Sequence, residues 1–184
     1  MTEQTLRLYC APYSGAPGQS HRLLLRAAAL DAPQLHDLTL GFGAQGKPFF
    51  RAAPQVQFNL SHSGALWACA FSDAPVGLDV QQYRDVRRAA LSRRFFHPDE
   101  DAWLRQSDYA AFFALWCAKE SYGKYTGQGL CGALSGVCLV APDGRFPAAA
   151  DVSFRLLDAF AGYAACVCSR HPARVVLRWL DAQD

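Results

Sequence analysis

Lysine is nearly missing from this chain. Of 18 basic residues only Lys47, Lys119 and Lys124 are lysines; the other fifteen are arginines. An ammonium is a compact point charge and a guanidinium a planar fork, so lysine kept at three places, each beside a motif, hints at a need for an ammonium, with chance as the alternative. Charge of either sign is also scarce. Charged residues make up 18% of the chain and the net charge is +2, too little to imply nucleic acid as a partner. The seven cysteines show no C-x-x-C spacing and their number is odd. That argues against a disulfide frame or a zinc site and reads as reduced, mostly buried thiols of a cytoplasmic protein. No apolar run approaches a membrane span, and the N-terminus lacks a basic start followed by an apolar stretch, so neither a membrane segment nor a signal peptide is expected. The glycine-rich stretch 41–48 lacks P-loop spacing and no Ser or Thr follows Lys47, which excludes a Walker A site. It can still bring backbone close to a ligand.

What is present is a well-supplied core. Hydrophobic residues make up 51% of 184, enough for one domain or two small, tightly joined halves burying roughly 70% of the unfolded surface. Residues 1–18 read as loop, punctuated by Pro12, Gly15, Pro17 and Gly18. A helix capped by Ser20 is expected to about Leu30, with Leu23, Leu24, Ala27 and Ala28 on its apolar face. Arg22 and Arg26 lie four apart on it, either a solvated face or a pair aimed at an anion. Residues 56–61 alternate, with Val56, Phe58 and Leu60 opposite Gln57, Asn59 and Ser61, as a half-buried strand does. A turn at 61–64, a strand at 65–71 and another at 75–80 predict an antiparallel meander. Helices are expected at 85–96, from Pro98, and from about 107 to 125, stopped by Gly127 and Gly129. Strands are expected at 134–140, 152–157, 163–169 and 175–180, with a turn at Pro142-Asp143-Gly144.

The chemistry gathers at two places. Residues 110–118 are all apolar, which predicts a buried helix; Lys119, Glu120 and Lys124 end it abruptly. Trp116, Glu120 and Lys124 share one side a turn apart. Such charges need partners, water or a ligand; an ordinary i,i+4 pair is the plain alternative. Asp79 stands between Leu78 and Val80, where a carboxylate is costly unless paired or bound to a cation. Together with Glu120 it suits magnesium, which takes one or two protein carboxylates plus phosphate oxygens and water. His62, in a hydroxyl-rich turn, either donates to a phosphate or stabilises the turn. Glu100 is explained by the dipole of a helix starting at Pro98. The stretches 65–72 and 162–169 echo one another about half the chain apart, which suggests a pseudo-duplicated α+β fold with its site at the seam.

Taken in order, Gly46-Lys47-Pro48, Phe58-Asn59-Leu60-Ser61-His62-Ser63, Val76-Gly77-Leu78-Asp79, Arg94-Phe95-Phe96 and Trp116-Cys117-Ala118-Lys119-Glu120-Ser121-Tyr122-Gly123-Lys124 resemble the surfactin-type 4′-phosphopantetheinyl transferases. The resemblance implies an α+β fold of two pseudo-symmetric halves, each a small antiparallel sheet with a packed helix, divided here as 1–84 and 85–184. It implies transfer of the phosphopantetheine arm of coenzyme A to a serine of an apo acyl or peptidyl carrier protein, releasing 3′,5′-ADP. By position, Asp79 and Glu120 would hold magnesium or manganese, with Gln81 beside them. Glu120, Lys124, Asp79 and His62 form the implied catalytic set, with Glu120 the first candidate for the base and Glu100 the second. Arg26, Gly46, Lys47, Pro48, Ser61, His62, Lys119 and Lys124 are the implied coenzyme-binding set. One departure matters: Gln81 stands where many members carry Glu, a poorer magnesium ligand. A catalytically impaired coenzyme A or carrier-binding module is the alternative that departure keeps open. The arginines 84, 87, 88, 93 and 94 would face an acidic carrier helix, or form a solvated basic face. The enzyme is expected to act as a monomer, with no nucleic-acid or membrane partner.

Overall fold

The computed structural model describes residues 4–43, 46–127 and 135–181. Strand β1 (Gln4–Pro12) is followed by helix α1 (Gln19–Asp31), the hairpin β2 (Leu40–Phe42) and β3 (Pro48–Phe50), and strands β4 (Gln57–Ser63), β5 (Leu66–Ser72) and β6 (Val76–Gln82). Helices α2 (Arg88–Phe95), α3 (Pro98–Arg105) and α4 (Phe112–Thr126) come next, then β7 (Ser153–Leu156), β8 (Tyr163–Ser169) and β9 (Ala173–Trp179). The fold is α+β. One sheet has the order β4-β5-β1-β9 and the other β6-β8-β7. All pairings within them are antiparallel except β1 with β9.

The cores define four layers. Leu23, Leu24, Ala27 and Ala28 of α1 pack with Tyr9, Phe58, Trp67 and Phe71 on one face of the larger sheet. Leu6, Leu8, Ala68 and Ala70 on its other face meet Val76, Leu78, Val80 and Val167 of the smaller sheet. Ala164 and Cys166, on the far side of β8, pack with Phe112, Leu115 and Cys117 of α4. Each sheet thus carries one helix. The echoing stretches occupy equivalent places: β5 runs between β4 and β1, and β8 between β6 and β7. The sheets exchange strands across residue 84, since β6 joins β7 and β8 while β9 lies beside β1. We propose 1–84 and 85–184 as the two halves of the chain.

Five sequence expectations need correction. Residues 4–12 are not loop but a central strand. Leu6 and Leu8 fill one core and Tyr9 the other, so β1 is buried on both faces and shows no apolar–polar alternation to read. The meander stops at β5, because both of its edges are already taken by β4 and β1; β6 therefore starts the second sheet. Residues 135–140 form no strand; the start of that expected strand, and Gly129, lie outside the described residues. The long helix begins at Phe112 rather than near 107, after Asp108 and Tyr109 take left-handed backbone angles, φ 48° and 59°. Helix α1 starts after Gly18, φ 72°, with no side-chain cap; Ser20 instead accepts a bond from Trp67 Nε1 at 2.9 Å.

Candidate active site

Beyond their face-to-face core, the two sheets are joined along the β4 and β6 edges by side chains. Strand β6 has one edge paired with β8, which leaves the N–H groups of 78, 80 and 82 in need of acceptors. Three residues of β4, spaced by two, supply them. Asn59 Oδ1 accepts from Leu78 N at 2.9 Å, Ser61 Oγ from Val80 N at 3.2 Å, and Ser63 Oγ from Gln82 N at 3.0 Å. The polar face of β4 is therefore buried at the seam, not solvated: Asn59 and Ser61 are both buried.

Helix α4 closes on the other face of β6. A Cβ at Gly77 would stand 1.9 Å from the Ser121 carbonyl oxygen and 2.7 Å from Tyr125 N, so only glycine permits this approach. The contact carries Glu120 and Lys124 against Asp79. Lys124 Nζ donates to Asp79 Oδ1 at 2.8 Å, to Ser61 Oγ at 3.0 Å and to the Leu78 carbonyl at 3.0 Å. Ser61 gives its own proton to Asp79 Oδ1 at 2.9 Å. All three Lys124 protons are in use, so a phosphate reaches this ammonium only by exchange with one of these bonds.

Glu120 is different. It is 7% exposed, and its Oε1 is buried with no hydrogen-bond partner. Burial pushes its pKa up to about 7; the neighbouring Asp79 charge adds to the rise and Lys124 opposes it. A buried, unpartnered carboxylate oxygen beside a second carboxylate is costly. A divalent cation between the two acids relieves both terms.

A groove of roughly 200 Å³ adjoins this cluster, lined by Gly46, Lys47, Pro48, Asn59, Gly123 and Lys124 among others. Lys47 Nζ spans it, donating to the Lys124 carbonyl at 3.0 Å and the Val76 carbonyl at 3.3 Å; burial lowers its pKa. Family comparison then decides what this seam belongs to. The family model of the 4′-phosphopantetheinyl transferase superfamily matches residues 75–169, which hold β6, α4 and β8. A Bacillus subtilis 4′-phosphopantetheinyl transferase is 34% identical over 168 residues, 82% of this chain and 72% of the relative. Sfp of Bacillus subtilis strain 168 is 30% identical over the same shares, and psf-1 of Bacillus pumilus 39% over 144 residues, 70% of this chain and 59% of the relative. The chain belongs to the 4′-phosphopantetheinyl transferase superfamily.

Not every implied site residue of this transferase joins the cluster. Ser61, Asp79, Glu120 and Lys124 do, and Gly46, Lys47 and Pro48 line the adjoining groove. Gln81 shares Asp79's face of β6, and its Nε2 donates to Ser63 Oγ at 3.1 Å and to the Gln82 carbonyl at 3.2 Å. His62 points to the opposite side of β4 from Ser61. It is exposed and stacks on Tyr13, ring centroids 4.5 Å apart. Arg26 donates to the Asp181 carbonyl from α1. Lys119 turns the other way altogether. It is fully buried, bonded to both oxygens of Glu100 at 2.8 and 2.7 Å and to the Val137 carbonyl. Glu100 also accepts from His97 N at 2.9 Å and Leu139 N at 2.8 Å, which leaves it no spare capacity to act as a base.

Sequence reasoning missed Asn59, Ser63 and Gly77 as parts of the site. The signal for the first two was on the page: three polar residues at period two opposite an apolar face need a polar partner when that face is covered.

Proposed function

We propose that this transferase moves the 4′-phosphopantetheine arm of coenzyme A to a serine of an apo carrier protein at the seam between β4, β6 and α4. One observation carries the reading: the unpartnered, buried Oε1 of Glu120 beside Asp79. Those two acids fit a divalent cation, with Gln81 Oε1 or water completing the shell; magnesium, or manganese in its place, would neutralise charge on the pyrophosphate there. Lys124 and Lys47 supply further positive charge along the groove, and Ser61 serves a phosphate oxygen there; His62 and Arg26 reach a phosphate only by leaving their present partners, the Tyr13 ring and the Asp181 carbonyl. The Gly46–Pro48 backbone borders the adenosine portion. Lys119 belongs with this set only indirectly, by holding α4 in place.

The balance of the step is simple. The serine oxygen forms a bond to the pantetheine-side phosphorus, the bond from that phosphorus to the bridging oxygen breaks, and 3′,5′-ADP leaves. Glu120 takes the serine proton. Burial alone leaves Glu120 about half ionised at neutral pH, and a bound cation would favour the ionised form that accepts the proton. Lys124 steadies the charge on the transferred phosphoryl group.

The carrier approaches over α2. Tyr83 is 54% exposed and packs on Phe113, and Arg88 lies 5.3 Å above the same ring. With Arg84, Arg87, Arg93 and Arg94 this gives a basic, part-aromatic surface suited to an acidic helix. The enzyme works as a monomer in the cytoplasm, without nucleic acid or membrane. Among the described residues no helix is long and apolar enough to cross a membrane.

Incubation with coenzyme A, magnesium and an apo carrier protein tests the reading. The expected result is a carrier heavier by one phosphopantetheine arm, read by intact mass. Binding of coenzyme A without transfer would favour a non-catalytic module, which the transferase names of the relatives do not.

A further inference from the structure

The cysteine spacing gave no metal motif, yet the fold assembles three ligand types outside the transferase cluster. His97, Asp99 and Cys138 each offer one donor atom, and these lie within 4.8 Å of one another. His97 and Asp99 open α3; Cys138 comes from the segment that packs over it. His97 Nδ1 stands 3.5 Å from Asp99 Oδ2; it caps α3 by accepting from Asp99 N at 3.3 Å, a long bond that a metal at this nitrogen would displace. Two donors about 2.1 Å from one tetrahedral ion are about 3.4 Å apart, so this pair is already at ligand spacing. The thiol has about 1 Å to close at most, within reach of a small side-chain rotation.

Both segments are anchored by one buried carboxylate. Glu100 Oε2 accepts from His97 N, and Glu100 Oε1 accepts from Leu139 N, next to Cys138. Glu100 is 0% exposed and held by Lys119. The distance between the ligand-bearing backbones is therefore fixed before any ion arrives, the support that metal sites draw from their surroundings. Among the described cysteines Cys138 is the one with solvent access; the others are buried. Its thiol donates to the Val140 carbonyl at 3.3 Å, a weak bond given up on ionisation. The cluster adjoins a cleft of roughly 670 Å³ bordered by Asp99, Trp103, Gln106, Val140 and Pro142, which leaves room for a fourth ligand.

We propose that His97, Asp99 and Cys138 form a site for a borderline-soft divalent cation of the zinc type, separate from the cation site at Asp79 and Glu120. Imidazole, carboxylate and thiolate together suit zinc; magnesium, which demands oxygen, is excluded by the sulfur. One carboxylate and one thiolate balance the ion's charge, and the α3 N-terminus favours both anions.

The test is titration of the full-length, metal-free chain with cobalt(II), whose spectrum reports its ligands. One equivalent should give tetrahedral visible bands and a thiolate-to-cobalt charge-transfer band, displaced by zinc and untouched by magnesium. Cys138→Ser should remove the charge-transfer band. His97→Asn, which keeps a side-chain oxygen to cap α3, and Asp99→Asn should each weaken binding by more than about tenfold. Circular dichroism checks that the variants fold. A wild-type spectrum without the thiolate band, meaning an adventitious ion only, overturns the proposal. So does a band that survives in Cys138→Ser.

Discussion

Helix α4 carries two lysine–carboxylate systems five residues apart, and they could hardly be more different. Lys119 with Glu100 is closed: both side chains are 0% exposed, and the Glu100 oxygens accept from Lys119, His97 N and Leu139 N. Lys124 with Asp79 is open: the lysine side chain is 28% exposed, a groove adjoins it, and next to the pair lies Glu120 with an oxygen that nothing satisfies. The closed system ties α4 to α3 and to residues 137–139. The open one faces the seam. A saturated buried pair holds structure, whereas a buried charge left one bond short marks where a ligand belongs.

The strongest way to break this comparison is Glu120→Gln. Turnover should fall by about a thousandfold or more, since the proposed base and cation ligand would both be lost, while thermal stability holds or rises because the buried charge is gone. Carrier modification by mass and a melting curve read the two halves of that statement. On the closed side the signs reverse. Lys119→Met should cost about 3–5 kcal/mol of folding stability by stranding the Glu100 charge, and Lys119→Met with Glu100→Gln, which removes the charge and keeps an acceptor for the backbone N–H groups, should recover part of it. Denaturant unfolding decides. Equal losses in the single and double variants would mean the pair is not what the structure shows.

Gly77→Ala probes the contact that brings the open system together. A methyl group 1.9 Å from the Ser121 oxygen has to displace α4 from β6. The expected cost is about 1–3 kcal/mol in stability, with a larger loss in rate, because Glu120 and Lys124 move away from Asp79. The mildest change is Gln81→Glu. It restores a carboxylate on Asp79's face of β6, so activity with magnesium should stay or rise severalfold, and magnesium should bind more tightly. A collapse of turnover would assign the amide a role of its own.

Much of this was legible in the residues, and what was not has physical reasons. The apolar run before Lys119, the alternation at 56–61 and 75–80, and the glycine after Tyr125-Thr126 located α4, β4 and β6 to within a few residues. Strand β1 escaped because a strand buried on both sides has no period to detect. The second sheet escaped because edge availability is a property of pairing: nothing local in Val76–Gln82 says that β5 is already flanked. Lys119 could not be separated from Glu120 by spacing. Consecutive helical residues point about 100° apart, and which direction meets Glu100 depends on where α3 lies. The echo between β5 and β8 was readable because both are interior strands built of small, apolar residues.

The central claim is that Asp79 and Glu120 together hold one divalent cation, and the pH dependence of stability tests it most directly. Glu120 has a folded pKa of about 7 against an ordinary value of 4.5. Below about 4.5 it is protonated in both folded and unfolded chains and contributes nothing to the balance. Between the two values the folded chain keeps a proton that the unfolded chain has lost, so stability falls as pH rises, by up to about 3 kcal/mol once pH passes 7. Without divalent ions, denaturant unfolding from pH 4.5 to 8 should show that decline. Magnesium should offset it at the high-pH end, where the cation meets an ionised Glu120, and Glu120→Gln should remove both the decline and the magnesium response. A decline that magnesium leaves unchanged, or a magnesium response that persists in Glu120→Gln, would contradict the account.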